Sequence, residues 1–301
     1  MSLFTIMTDT NTDIPDEYIK EHDIKIIPIP FTLDGRQHSG GRWQEISDKD
    51  FYNALGHGSV AGTALINPEA FVDVFTDYAG REEPLLILTL SSGLSGTYQN
   101  AVIALNDVKE VFPNCEIYVV DSTNAAGGAG LLTILAVNKR TEGLTASQTS
   151  TWLEEKKHSC MSLFTVNDLM YLRRGGRLSG LSAVAGSIIG IKPLLNVSPE
   201  GTLKLKDRVR GRKASLEKLV SQMKRCLNQG TDLDTVVISH SDCLEDAQTL
   251  AEIVRSTVAV NEIKTVMMSP VIGAHVGPGT IALFFEADLT RSEYEARFYS
   301  K

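Results

Sequence analysis

The run Leu85-Leu86-Ile87-Leu88-Thr89-Leu90 is apolar at every position but one, and it leads directly into Ser91-Ser92-Gly93-Leu94-Ser95-Gly96. Six such residues without polar alternation describe a strand covered on both faces. A helical period through Tyr98, Val102 and Leu105 follows at once. The same succession of strand, hydroxyl-rich loop and helix occurs twice more. Residues 3–7 lead into Thr8-Asp9-Thr10-Asn11-Thr12-Asp13, which suit a loop and a helix N-cap, with Pro15 early in the helix. Residues 117–120 lead into Asp121-Ser122 and a glycine-rich helix start. Repeated units of this kind build an α/β fold with a largely parallel sheet, and they gather their loops at its carboxyl edge.

The segment Ile24-Lys25-Ile26-Ile27-Pro28-Ile29-Pro30-Phe31 predicts one further strand, placed at an edge or a strand end by its prolines, with a turn at Asp34-Gly35. The second half changes character. Leu194-Leu195-Asn196-Val197 and Thr202-Leu203-Lys204-Leu205-Lys206 flank Ser198-Pro199-Glu200-Gly201, a hairpin signal. Leu216, Leu219, Val220, Met223 and Leu227 form one helical stripe, and residues 244–258 form another. Strands are predicted at residues 235–239, 266–268 and 280–285. This change places a domain boundary near residues 160–180, dividing the chain into 1–165 and 166–301.

With 43% hydrophobic and 22% charged residues among 301, the chain has the composition of a folded globular protein. Its 29 Lys and Arg against 37 Asp and Glu leave a formal charge of −8, a poor match to nucleic acid. The apolar runs are too short to span a bilayer, and the N-terminus carries no basic segment ahead of an apolar core. Cys115, Cys160, Cys226 and Cys243 are scattered, without zinc spacing, and read as reduced thiols of a cytoplasmic protein.

Four segments carry candidate chemistry. The loop from Ser91 to Tyr98 offers hydroxyls and helix-start amides to a carboxylate or phosphate, although Ser and Gly also serve as ordinary caps. It matches neither a dinucleotide fingerprint nor a P-loop, and it is one residue short of a nucleophile elbow. Residues 168–177 predict a helical turn capped by glycine in the left-handed region, which explains Arg173 and Gly175 better than it explains Arg177. Ile272-Gly273-Ala274-His275-Val276-Gly277-Pro278-Gly279 predicts a glycine-rich turn that lets a ligand approach His275. Lys204, Lys206, Arg208, Arg210 and Arg212 recur at every second residue, so one strand would show one basic face. Such charges guard an edge strand against aggregation; in an acidic chain they also suit a partner bearing phosphate or carboxylate.

At these motifs the sequence resembles the DegV family of bacterial fatty-acid-binding proteins. The likeness rests on Asp9-Thr10-x-x-Asp13-Ile14, Ser91-Ser92-x-Leu94-Ser95-Gly96-Thr97-Tyr98-Gln99, Asp168-Leu169-x-Tyr171-Leu172-x-x-Gly175-Gly176-Arg177, Lys192-Pro193-Leu194-Leu195 and the segment around His275, in that order. The resemblance implies an N-terminal α/β/α layer with a mainly parallel sheet, and a C-terminal α/β domain with a mixed sheet. It implies a long-chain fatty acid such as palmitate as the bound ligand, with no cofactor and no catalysis by this chain alone. It further implies a separate ATP-dependent fatty-acid kinase that phosphorylates the presented carboxylate for phospholipid metabolism. By that likeness Thr63 and Ser95 bond the carboxylate with His275 close by, Ser92 and Gly96 are further ligand-binding residues, and Arg177 supports the head-group site or the kinase contact. Arg208, Arg210 and Arg212 are the expected docking residues. The chain departs from the family where Thr63-Ala64-Leu65-Ile66 replaces Thr-Ser-Gln-Pro and where Ala126 replaces a common Ser.

A reading from another class is an enzyme or subunit acting on a small carbonyl compound, similar to the substrate domain of dihydroxyacetone kinases, with His275 as the reactive group. A serine hydrolase using Ser95 and His275 lacks a nameable acidic partner.

Overall fold

The computed structural model describes residues 4–41, 46–177 and 190–299; the reading of the extreme N-terminus, including Leu3 of the first predicted strand, lies outside them. The chain opens with β1 (Thr5–Asp9), α1 (Asp16–Glu21), β2 (Lys25–Ile27), β3 (Phe31–Leu33) and β4 (Arg36–His38). It continues through α2 (Asp48–Gly56), β5 (Ala61–Thr63), α3 (Pro68–Gly80), β6 (Leu85–Thr89), α4 (Thr97–Val111) and β7 (Ile117–Asp121). Helices α5 (Gly127–Thr141) and α6 (Ala146–Lys156) lead to β8 (Cys160–Thr165), α7 (Leu169–Arg174), β9 (Ile191–Val197) and β10 (Leu203–Arg210). Last come α8 (Arg212–Arg225), β11 (Leu233–His240), α9 (Leu244–Thr257), β12 (Val260–Met267), α10 (Pro270–Val276), β13 (Ile281–Glu286) and α11 (Arg291–Tyr299).

Strands β2-β1-β6-β7 form a wholly parallel sheet, as the repeated units require. All five residues of β6 are buried, because helices cover both faces. Phe71, Phe75, Ala104 and Val108 of α3 and α4 pack on Leu85, Ile87 and Ile117. The opposite face, Ile6, Leu86, Leu88 and Val120, packs on α5. The far side of α5 meets a six-stranded mixed sheet ordered β10-β9-β8-β13-β11-β12. The glycines at the start of α5 make this sandwich possible. A Cβ on Gly127 would lie 2.6 Å from Phe284 and Val237, and one on Gly130 2.6 Å from the Asp13 carbonyl. The outer face of the mixed sheet, including Leu283 and Phe285, is covered by Leu219, Met223, Leu250 and Tyr294 of α8, α9 and α11.

The hairpin at residues 198–201 and the Asp34-Gly35 turn form where expected, the latter with positive φ at both residues. Other details differ. The run from Ile24 to Phe31 is two strands, not one: the prolines break it, β2 edges the parallel sheet, and β3 joins a small antiparallel sheet β4-β3-β5. Residues 8–13 do not cap α1; Pro15 holds the N-cap position without a side-chain bond. Asp9 is instead fully buried and accepts from the Leu90 amide at 2.8 Å, tying the first loop to the serine loop. β8 pairs with β9 and β13, so a cut between residues 165 and 166 would part it from its own sheet.

The basic stripe is not one face. A bulge between Leu205 and Asp207 shifts the register of β10, and Arg212 lies on α8. Lys206 pairs with Glu295 at 2.7 Å and Arg212 with Asp246 at 2.9 Å. Lys204, Arg208 and Arg210 remain exposed on what is indeed an edge strand.

Candidate functional site

Thr63 ends β5, Ser95 lies in the loop between β6 and α4, Arg177 follows α7, and His275 lies in the last turn of α10. The expected glycine-rich turn around His275 is therefore a helix, and only Gly277–Gly279 form the turn. Helix geometry suits the segment because Pro270 occupies its first turn, where the missing N–H is not needed.

These four side chains line one cavity of about 100 Å³. Its other walls are almost wholly apolar: Phe164, Val197, Leu203 and Phe284 from the mixed sheet, and Val271, Ile272 and Val276 from α10. Ser162 and Thr280 also reach it, but their hydroxyls are bonded to Asn124 and to the Val276 carbonyl. Among the described residues no Asp or Glu lines the cavity.

Thr63 Oγ1 and His275 Nε2 are 2.8 Å apart, although 212 positions separate them in the chain. His275 Nδ1 is buried without a hydrogen-bond partner among the described residues. An orphaned donor costs more than an orphaned lone pair, so the proton belongs on Nε2, which donates to Thr63 Oγ1. The Thr63 hydroxyl proton is then free for a ligand. Burial, helped by the nearby Arg177 charge, pushes His275 down to about 4, so the imidazole is neutral at pH 7. Arg177 donates from Nε to the Leu94 carbonyl at 3.1 Å and from Nη1 to the Gly175 carbonyl. Its Nη2 makes no hydrogen bond among the described residues and is available to an anion. Burial lowers its pKa, but an arginine stays charged at neutral pH.

The serine loop is clamped from three sides. Asp9 takes the Leu90 amide, Asp121 takes the Ser92 amide at 3.1 Å, and Ser91 Oγ donates to the Gly201 carbonyl at 2.9 Å. That last bond ties the parallel sheet to the hairpin of the mixed sheet. Fully buried Arg291 reinforces the junction with bonds to Thr123, the Ser198 carbonyl and the Lys157 carbonyl.

Residues 3–288 match the profile of a family described as uncharacterised proteins, the DegV family. The chain belongs to the DegV family. A DegV domain-containing protein of Clostridium perfringens is 37% identical over 289 residues, covering 96% of this chain and 99% of its own. A DegV lipid-binding protein from Thermotoga maritima has the same fold, with a TM-score of 0.84 at 29% identity over 95% of this chain and 99% of that one. A DegV family protein from Thermus thermophilus, described by its fatty acid binding, matches with a TM-score of 0.84 at 26% identity over 94% and 99%.

In this DegV protein Thr63, Ser95, Arg177 and His275 meet at the cavity, whereas Ser92 and Gly96 do not line it. Ser92 serves the loop through its amide, and Gly96 is the N-cap of α4, packed 3.3 Å from Leu65 as judged from its missing Cβ. The left-handed cap of α7 is Gly176, with φ +72°, and not Gly175. Gly175 has a different reason to be glycine: a Cβ there would fall closer than 3.0 Å to His275 Nδ1. Sequence reasoning missed this role, although the doubled glycine was its signal. Both departures from the family pattern lie on the cavity: Ala126 lines its wall and Leu65 stands 42% exposed at its rim. Among the described residues there is no cluster of His, Cys, Asp or Glu fit for a metal, and no helix long and apolar enough to cross a membrane.

Proposed function

We propose that this chain is a cytoplasmic carrier that binds a long-chain fatty acid and presents its carboxylate to a separate ATP-dependent kinase, which forms the acyl phosphate. The observation that carries this reading is the apolar cavity ending in Thr63, Ser95, His275 and Arg177, with no acidic side chain among the described residues that line it. Burying about fourteen methylenes at ~0.8 kcal/mol each contributes on the order of 11 kcal/mol before ordering costs. The tail thus supplies the affinity, and the head needs only the Thr63 and Ser95 hydroxyls and Arg177 Nη2. The cavity measures only about 100 Å³, so a long acyl chain requires adaptable lining side chains such as Met268 to move apart.

His275 favours carriage over chemistry. Its Nε2 is engaged by Thr63, its Nδ1 faces Gly175 rather than a carboxylate, and Ser95 Oγ bonds Thr97 at 3.0 Å. Among the described residues these contacts assemble neither a hydrolase triad nor an open imidazole nucleophile. Kinase docking falls to exposed Arg208 and Arg210, with Arg212 withdrawn into its pair with Asp246.

Native mass spectrometry of the purified chain tests the binding step, with a co-purifying or added long-chain acid expected at one per chain. Thr63→Ala and Ser95→Ala should each weaken the acid by about tenfold or more, the worth of one hydrogen bond to a charged group. Unchanged affinity in the double variant would remove the head-group assignment.

A further inference from the structure

The two hydroxyls proposed to hold the carboxylate stand on different sheets. Thr63 ends β5 of the small antiparallel sheet, where it pairs with Phe31 of β3, and the next amide, of Ala64, donates to the Pro30 carbonyl at 2.9 Å. Ser95 stands in the loop after β6 of the parallel sheet, and its amide donates to the Ser91 carbonyl at 3.0 Å. These bonds place each hydroxyl within its own sheet; none of them fixes the one against the other. A carboxylate makes that spacing matter. Its two oxygens have one fixed separation, and a pair of hydroxyls serves both only when held to within about 0.5 Å. The segment from Thr63 to Ile66 contains no proline to stiffen it, so the gap needs a restraint of its own.

Asn100 supplies one. It lies near the start of α4, on the helix that follows the serine loop, and its Nδ2 donates to the Ile66 carbonyl at 2.8 Å. Among the described residues this is the hydrogen bond that joins residues 61–67 to residues 89–105. The two segments also touch where the loop enters the helix. Leu65 packs so closely on Gly96 that a Cβ there would lie 3.3 Å from Leu65 Cδ1. Ile66 itself is buried, so the tie anchors in the core rather than in a free strap. Asparagine is a poor helix former, and α4 carries it at a local cost that the bond to Ile66 explains.

We propose that Asn100 is a positioning residue of the head-group site: by fastening the Thr63 segment to α4, it holds the Thr63 and Ser95 hydroxyls at the separation that one carboxylate needs. The proposal rests on the fatty-acid reading and deepens it. Preference for an acid over other long-chain head groups then depends on a side chain that does not line the cavity.

Hexadecanoic acid and hexadecanol share one tail, but the alcohol has a single oxygen that one hydroxyl can satisfy. Displacement of a fluorescent fatty acid measures both in the natural full chain, in Asn100→Ala and in Asn100→Leu. Alanine favours the helix, and leucine keeps much of the side-chain volume while removing the donor. Each variant should weaken hexadecanoic acid by about five- to tenfold and leave hexadecanol within about twofold. In a Thr63→Ala background, Asn100→Ala should cost the acid less than about twofold more, because one of the two hydroxyls whose spacing it sets is gone. Equal losses for acid and alcohol would make Asn100 a support of the fold only. An undiminished loss in the Thr63→Ala background would show that it does not act through the spacing. Either result overturns the proposal. Acid preference that survives both Asn100 substitutions removes the positioning role and leaves the carboxylate reading standing. A natural chain that binds the acid no better than the alcohol refutes the carboxylate reading itself, and the positioning role with it.

Discussion

Replacing Gly175 with alanine should disable the proposed head-group site without touching any residue proposed to bond the ligand. The added Cβ falls closer than 3.0 Å to His275 Nδ1, and 3.3 Å and 3.4 Å from Cε1 and Cγ. Ordinary contact would need the ring to retreat by about 1 Å. It cannot retreat along that line, because Nε2 on its far edge already lies 2.8 Å from Thr63 Oγ1. The ring must instead rotate away, and the Thr63 contact breaks. Overpacking of this kind costs about 1–3 kcal/mol, and the lost hydrogen bond adds about 1 kcal/mol, so the fold should weaken by about 2–4 kcal/mol. Freed from His275, the Thr63 hydroxyl is no longer aimed, and fatty-acid affinity should fall about tenfold or more, the equivalent of about 1.4 kcal/mol. Urea unfolding and fluorescent fatty-acid displacement measure the two effects. Gly176→Ala is the control: its φ of +72° strains an alanine, but no atom of the described residues lies within 4 Å of the new Cβ. It should lose about 1 kcal/mol of stability and keep its affinity. Unchanged stability and affinity in Gly175→Ala would refute the wedge between Gly175 and Thr63.

Titration of His275 should appear in the pH dependence of stability. Its pKa falls from 6.5 when unfolded to about 4 when folded, so its contribution is complete above pH 6.5. That contribution declines as the pH drops towards 4, by about 1.4 kcal/mol per unit. His275→Gln should remove this slope, and parallel stability profiles for the two proteins from pH 7 to 4 would contradict it. His275→Ala should also reduce phosphorylation of the acid by the partner kinase more than it reduces binding, since a group beside the carboxylate can orient it; equal losses would leave His275 a structural residue. Arg291→Met should cost at least about 3 kcal/mol by calorimetry, because it strips charge-assisted donors from buried acceptors on both sheets; a loss below about 1 kcal/mol would show that the junction does not depend on it. Reversing Arg208 and Arg210 to Glu should slow association with the kinase and flatten its salt dependence while acid binding survives. Unaltered stopped-flow rates at two ionic strengths would leave the two arginines as mere edge protection.

The local chemistry of the chain settled its architecture early. An apolar run such as β6 must be covered on both faces, and three such units in succession leave little choice but a parallel sheet with its hydroxyl loops along one edge. Thr63, Ser95, Arg177 and His275 were legible as a set through the family resemblance, because each sits in a motif with its own punctuation of glycine, proline or serine. What the residues alone could not reveal is how those motifs meet. Whether the segment around His275 turns or coils depends on Pro270 finding a helix start against β5 and α7, a tertiary matter. The basic residues from 204 to 212 share a period of two only while the strand is regular; a bulge and the start of α8 dissolve the stripe. Gly175 reads as a cap in one dimension and proves to be the wall behind an imidazole one hundred residues away in three. Contacts between distant segments set which polar groups are left unspent, and at this cavity, among the described residues, they leave the Thr63 O–H and Arg177 Nη2.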